Sequence, residues 1–287
     1  MLARDWKIFY AQERDRLGPA GMERLIAHAP ALEHPARGAI VFPHTKLTES
    51  GELIAAAAAA VVRCGRPRVL ALGVLHGGLA ADAELLQRAR NGDAAALTSL
   101  RRIHGPGVPG DQGRWREEFS LDSFAALVHV AADVHGRKAP EIVARFPFLT
   151  GAEPASLPGI DALHRLISEG CAWVATTDPI HHGAGYGTPA PERRDPANQD
   201  TVAFARDRIA RQFAALSTRN YAAFAERTAV DRSDFRDNGP VLRELLGAGE
   251  TQSAIHELRL VNYADTFQAE SPTWVAAVLA TLVPGSA

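Results

Sequence analysis

The fold is indicated by a short apolar run that ends at a histidine, Val69-Leu70-Ala71-Leu72-Gly73-Val74-Leu75-His76. Runs of four to eight apolar residues bounded by turn formers are typical of buried strands. Similar runs occupy residues 39–42, 146–149, 171–177 and 258–263, and we predict a strand at each. Between and after them we predict helices over residues 51–63, 120–134, 161–169, 201–216, 219–229, 240–247 and 273–282.

Strands that alternate with helices favour the α/β class, with a central, mainly parallel sheet flanked by helices. The chain has 287 residues, of which 46% are hydrophobic, and this is enough for one large core. No segment has the length and composition of a linker between domains. We therefore predict a single domain over residues 1–287, with its core at about residues 38–282.

Charge and cysteine content exclude several classes of partner. Thirty-one Lys and Arg against 33 Asp and Glu give a net charge of -2, so we predict that nucleic acid is not a partner. The longest apolar run, Leu53–Val62, is about half of the ~20 residues that cross a bilayer, and we predict no membrane association. With only Cys64 and Cys171 the chain has no disulfide framework, which favours a cytoplasmic protein. The oligomeric state stays open, and a homo-oligomer is compatible with the sequence.

Three histidine positions follow predicted strands. His44 and His76 come after the first two runs, and His181 comes shortly after the run at 171–177. Ligands of doubly wound sheets gather at the carboxyl ends of the strands, and two imidazoles with one carboxylate form a common site for non-haem iron. His44 and His76 are therefore candidate metal ligands. The alternative is that each is a hydrogen-bonded loop residue.

Asp178 and His181 lie three residues apart across Pro179. A carboxylate at this spacing can orient the imidazole and raise its basicity, so the pair is a candidate for general acid–base catalysis. The alternative is an Asp-Pro turn. Because the chain has no Walker loop and no Gly-x-Gly-x-x-Gly after the first strand, we predict no nucleotide cofactor.

Five short motifs extend this pattern. In chain order they are Val41-Phe42-Pro43-His44, Leu72-Gly73-Val74-Leu75-His76, Glu118-Phe119-Ser120-Leu121-Asp122, Asp178-Pro179-Ile180-His181-His182-Gly183 and Val261-Asn262-Tyr263-Ala264. Together they resemble motifs of the MEMO-like proteins, relatives of the class III extradiol (LigB-type) ring-cleaving dioxygenases. The resemblance runs from about residue 38 to 280. It implies one α/β domain with a pocket formed by His44, His76, Asp178 and His181, and iron in the members that bind metal.

The chain departs from the family where MEMO-like proteins carry a cysteine before a late helix. The segment 235–240 has no cysteine, and either Arg236 or Asp237 takes its position. Asp237 would complete a site of two histidines and one carboxylate, whereas Arg236 would repel a metal ion. We predict Asp237 as the third ligand, the alternative being a simple turn before the helix. Glu118 is predicted to contribute as an acid, with Phe119 replacing the family's histidine.

The resemblance leads to the hypothesis of a non-haem Fe(II) dioxygenase that acts on a small catechol-like or aminophenol-like substrate and O2. His181, oriented by Asp178, would take the substrate proton and return it later. Two alternatives are a binding or signalling protein that uses the pocket without turnover, and a metal-dependent hydrolase of a small metabolite. Candidate aromatic residues of the pocket wall are Trp115, Phe119, Tyr186 and Tyr263.

Overall fold

A computed structural model describes residues 3–76, 83–104, 118–148 and 150–285. Within these ranges a seven-stranded sheet carries helices on both of its faces. The predicted α/β class is confirmed. The sheet is mixed rather than mainly parallel as predicted, because a parallel part formed early in the chain is extended by antiparallel strands from its end.

The sheet has seven strands, and its parallel part contains those that precede the predicted site residues. The strands are β1 (Ala39–Phe42), β2 (Arg68–Leu72), β3 (Glu141–Arg145), β4 (Ala172–Thr176), β5 (His181–Gly183), β6 (Thr251–Asn262) and β7 (Thr273–Pro284). In space β3, β2, β4 and β1 are neighbours in that order and run parallel. β7 pairs antiparallel with β1 and β5 along one edge and with β6 along the other.

Each face of the sheet is covered by its own set of helices. The helices are α1 (Ala3–His28), α2 (Leu47–Arg63), α3 (Ala83–Arg90), α4 (Ala94–His104), α5 (Asp122–Val134), α6 (Ile160–Ser168), α7 (Gln199–Ser217), α8 (Tyr221–Val230), α9 (Phe235–Leu245) and α10 (Ala264–Phe267). Helices α1, α2 and α5 pack with Ile40 and Phe42 of β1. Helices α6 to α9 pack with Ala39 and Val41, which point to the opposite face. Because both faces are buried there, the inner strands β1, β4 and β7 are mostly apolar rather than alternating with polar residues.

The prediction of a helix over residues 273–282 is wrong, because this segment is β7. Its side chains alternate between the two cores: Trp274, Ala276 and Val278 enter one, and Val275 and Ala277 enter the other. With both faces apolar the segment has no polar alternation, and its alanines favour a helix locally. Pairing with three strands overrides that local preference.

Several other boundaries differ from the predictions, among them those of β3 and α9. The strand predicted at 146–149 lies earlier, at β3, and Phe146 and Phe148 follow it as buried residues, while Leu149 lies outside the described residues. β3 is an edge strand with partly exposed side chains, so its sequence is less apolar than that of an inner strand. Helix α9 begins at Phe235, five residues before the predicted start, and continues through Pro240.

The N-terminal helix α1 was not predicted as part of the domain core. It changes direction at Gly18, which has a φ of 58° and is followed by Pro19. Its second half contributes Met22 and Ile26 to the core, and its first half carries Trp6 to the sheet edge where β1 ends.

No helix in the described ranges is long and apolar enough to cross a bilayer.

We expect the Gly183→Ala substitution to destabilise the protein, because Gly183 ends β5 with a φ of +106° and an added Cβ would lie 2.0 Å from the Pro272 carbonyl oxygen. The matched control is Gly136→Ala, where φ is +59° and no atom lies within 4 Å of the added Cβ. The control should lose about 1–2 kcal/mol of unfolding free energy, and Gly183→Ala more than that. Urea denaturation measures both, and equal losses would contradict the expected clash.

Candidate metal centre

The parallel strands bring the predicted site residues to one edge of the sheet. β2, β4 and β1 are adjacent, so the residues that follow them lie side by side. His76 follows β2, Asp178 follows β4 and His44 follows β1, while His181 begins β5. The structure therefore brings together the four residues that the sequence placed in one pocket.

Three side-chain atoms converge at this edge. The Nε2 atoms of His44 and His76 are 3.3 Å apart, and Asp234 Oδ2 lies 3.4 Å from the first and 3.7 Å from the second. A point equidistant from three atoms at such separations lies about 2 Å from each, which is the usual length of a bond from a metal ion to imidazole or carboxylate. His44, His76 and Asp234 thus form a candidate metal-binding cluster.

The carboxylate of this cluster is Asp234, three residues before the predicted Asp237. Asp234 precedes α9, and its backbone N–H donates to the Asp178 carbonyl at 3.2 Å, which fixes it at the end of β4. Asp237 lies in the first turn of α9, where its Oδ1 accepts from the Thr150 backbone N–H at 3.1 Å. The side chain of Arg236 is 60% exposed and is not among the residues that line the pocket.

The outer nitrogen of each histidine has a partner that fixes its ring. His76 Nδ1 donates to Glu118 Oε1 at 3.1 Å, so the neutral ring carries no proton on Nε2 and presents a lone pair to the cluster. His44 Nδ1 lies 3.1 Å from Thr176 Oγ1. A hydrogen bond to the outer nitrogen is a regular feature of histidines that bind metals. The donor set therefore fits a divalent transition metal.

Glu118 orients His76 and does not have the surroundings of an acid. Besides the His76 ring it accepts from the backbone N–H groups of His76, Phe119 and Ser120, at 2.6 to 2.8 Å. Burial would raise the pKa of Glu118, but the attraction of His76 and these hydrogen bonds lower it. The carboxylate is ionised at neutral pH, so it holds the His76 ring in place.

His181 is oriented by a backbone carbonyl. Its Nδ1 donates to the Arg232 carbonyl at 2.7 Å, so Nε2 of the neutral ring is free to accept a proton. That Nε2 lies 3.5 Å from Asp234 Oδ2, and a carboxylate oxygen of Asp178 lies within 4.8 Å. Asp178 instead makes its closest contacts with His44: Oδ1 accepts from the backbone N–H at 3.2 Å, and Oδ2 is 3.5 Å from Nε2.

The charges of the cluster are strongly coupled. Burial would raise the pKa of Asp234, but the facing His181, His44 and His76 hold it well below its usual range. Burial would lower the pKa of His76, but Glu118 and Asp234 raise it to about 10. The pKa of Asp178 is raised by burial, against the opposing attraction of His44 and His181. Asp234 Oδ2 is buried without a hydrogen-bond donor, as expected for an oxygen that binds a cation.

Aromatic rings enclose the cavity beside the cluster. Its volume is about 180 Å³, smaller than the roughly 300–1,000 Å³ of sites for drug-sized ligands. The predicted Phe119, Tyr186 and Tyr263 line it, whereas Trp115 lies outside the described residues. Phe119 stacks on the His76 ring at 4.4 Å. The remaining aromatic residues of the wall are Trp6, Tyr10 and Phe267, which were not predicted from the sequence.

We expect the affinity of the cluster for a divalent metal to rise with pH between about 7 and 9. In the metal-free protein His76 has a pKa of about 10, so it is protonated there and must lose its proton to bind a metal. The gain should approach tenfold per pH unit and level off near pH 10. Competition titrations with Co(II) measure it. In Glu118→Gln, which removes one of the two carboxylates that raise this pKa, the curve should level off at lower pH. A pH-independent affinity in the wild type would contradict the assignment.

Comparisons of the chain with protein-family models and with curated proteins return no match. The relationship to MEMO-like and LigB-type proteins therefore stays a prediction from five short motifs. The convergence of His44, His76 and Asp234 is a property of the geometry and does not depend on that relationship. The coarse conclusion from the structure is a candidate metal-binding cluster, compatible with a metal-dependent enzyme.

Proposed function

We propose that this protein is a non-haem Fe(II)-dependent dioxygenase for a small catechol-like or aminophenol-like substrate, related to the LigB-type enzymes. The observation that carries the proposal is the meeting of His44, His76 and Asp234 at one point beside a cavity. Two imidazoles and one carboxylate on one side of a metal ion are the donor set of non-haem iron oxygenases. Bound Fe(II) would supply open positions for the substrate oxygens and for O2.

The cavity supports an aromatic substrate of about one ring. The wall opposite the cluster is formed by aromatic rings. The Trp6 ring contacts those of Tyr263 and Phe267 edge to face, with centroids 5.7 and 5.5 Å apart. Rings of this kind bind another ring by stacking and edge contacts. The cluster lies on the polar side of the cavity. A substrate ring could therefore contact the aromatic wall while its two adjacent oxygen or nitrogen donors face the cluster.

His181 is the proposed general base. The Arg232 carbonyl holds its Nδ1–H, which leaves the Nε2 lone pair facing the cavity and Asp234. When a substrate hydroxyl group loses its proton to Nε2, the oxygen becomes an anion and the His181 ring becomes a cation, which Asp234 and Asp178 stabilise. Tyr186 packs on the His181 ring with centroids 4.9 Å apart and limits its rotation. Asp178 acts in this proposal as a positioning residue for His44, through the contacts of its two oxygens.

The ligand assignment predicts that Asp234→Asn loses metal whereas Asp237→Asn keeps it. Asn at 234 removes the charge that faces the two imidazoles, but Asn at 237 can still accept from Thr150. Wild type and Asp237→Asn, reconstituted with Fe(II) without oxygen, should bind close to one metal per chain by elemental analysis. Full occupancy in Asp234→Asn, or loss in Asp237→Asn alone, would refute the assignment.

The proposed base predicts a separation of binding from turnover. The iron-loaded wild type should consume O2 with at least one member of a panel of catechols and aminophenols. His181→Gln should keep its metal and lose roughly 10²–10⁴-fold in turnover, the usual contribution of a general base. Oxygen uptake and metal content are measured on the same samples. Full metal occupancy without oxygen uptake on any substrate would favour the binding-protein or hydrolase alternatives.

A further inference from the structure

A second cavity, of about 560 Å³, shares His181 with the candidate metal centre. Its wall is unusually cationic. It includes four guanidinium groups, from Arg193, Arg194, Arg208 and Arg232, and two carboxylates, from Glu192 and Asp231. The cavity therefore has an excess of positive charge beside the site where the substrate is proposed to react.

Two of these guanidinium groups already have ionic partners. Arg193 Nη1 is 2.7 Å from Glu270 Oε2, and Arg208 Nε contacts Asp231 Oδ1. Arg194 and Arg232 have no carboxylate partner in the described part of the chain. The Arg194 guanidinium lies over the Phe204 ring at 4.4 Å, and Arg232 Nη2 donates to the Gly187 carbonyl at 3.2 Å. Most of their donors are therefore available to a ligand.

The neighbouring His182 also lines this cavity. Its Nε2 accepts from the Arg194 backbone N–H at 3.0 Å, so the neutral ring carries its proton on Nδ1. Burial lowers the pKa of His182 to about 4, with Arg194, Arg208 and Arg232 contributing. The ring is neutral at pH 7, and this agrees with a positive potential in the cavity. A wall of donors with few free acceptors selects an anion.

Arg232 connects the two cavities. Its carbonyl holds His181 Nδ1 at 2.7 Å, and its side chain lines the cationic cavity. Its φ of 51° is in the left-handed region, which is uncommon for a residue with a Cβ. A ligand group that contacts the Arg232 guanidinium is therefore linked to the His181 ring through Arg232 alone.

We propose that Arg194 and Arg232 form an oxyanion subsite, which binds a carboxylate or phosphate group of the small-molecule substrate next to the candidate metal centre. The planar donor fork of arginine matches both oxyanions, and bidentate contacts would fix the orientation of the substrate. The identity of the ligand as the substrate rests on the proposed function. Binding of the oxyanion itself does not, because it requires neither metal nor turnover.

The test uses three probes with the same ring, benzoate, phenyl phosphate and the neutral benzamide, titrated calorimetrically into metal-free protein at low ionic strength. Wild type should bind at least one anionic probe more tightly than benzamide, and the preferred anion identifies the head group. The Arg194→Gln/Arg232→Gln double variant should bind that probe at least about tenfold more weakly. The control Arg206→Gln removes one charge from an exposed position of α7 that does not line the cavity, and should bind it like the wild type.

Thermal unfolding checks that the double glutamine variant is folded. If it is not folded, Arg194→Lys/Arg232→Lys, which keeps both charges but lacks the planar donor fork, is titrated in its place. Equal affinity for benzoate, phenyl phosphate and benzamide in the wild type would overturn the subsite. So would an unchanged affinity in the double variant. Asp234→Asn should bind the anionic probe normally although it loses metal, so failure of the metal site and failure of the oxyanion subsite give different results.

Discussion

The parallel pairing of β2 with β4 and of β4 with β1 is the constraint on which the candidate site depends. It places His76, Asp178 and His44 next to one another, although His44 and Asp178 are 134 residues apart in sequence. The Thr177 backbone N–H continues the pairing with the Phe42 carbonyl at 2.8 Å. Asp234 is then added to this edge by its own backbone, through the Asp178 carbonyl. The geometry of the cluster is thus set mainly by main-chain hydrogen bonds.

Two carboxylates in the site, from Glu118 and Asp234, have opposite surroundings. Glu118 accepts hydrogen bonds from three backbone groups and one imidazole, so its desolvation is compensated within the protein. Asp234 Oδ2 has no hydrogen-bond donor and faces three imidazole nitrogens at 3.4 to 3.7 Å. A buried carboxylate oxygen without a hydrogen-bond donor is one that a bound cation can satisfy. Glu118 therefore has the surroundings of a structural support, and Asp234 those of a ligand-binding group.

The sequence placed His44, His76 and His181 near one another for a physical reason: each follows an apolar run, and the carboxyl ends of parallel strands meet. Asp234 could not be found in this way, because it follows no strand. Its position depends on where α9 begins, and Pro240 suggested a start five residues too late. Trp6 and Tyr10 were missed because their role depends on how α1 crosses the sheet edge. β7 was assigned to the wrong class because strands buried on both faces have no alternation of polarity.

β7 is the last strand of the described chain, yet it pairs with β1, β5 and β6. β5 carries His181 and is held in the sheet through residues 273–275. During synthesis, which proceeds from the N-terminus, β5 has no strand to pair with until those residues have left the ribosome. His44 and His76 follow β1 and β2, which both pair with β4 and can be joined as soon as β4 has been made. We therefore expect His181 to take its place beside the candidate cluster only when β7 has formed, after the backbone that carries His44, His76 and Asp234 has been made.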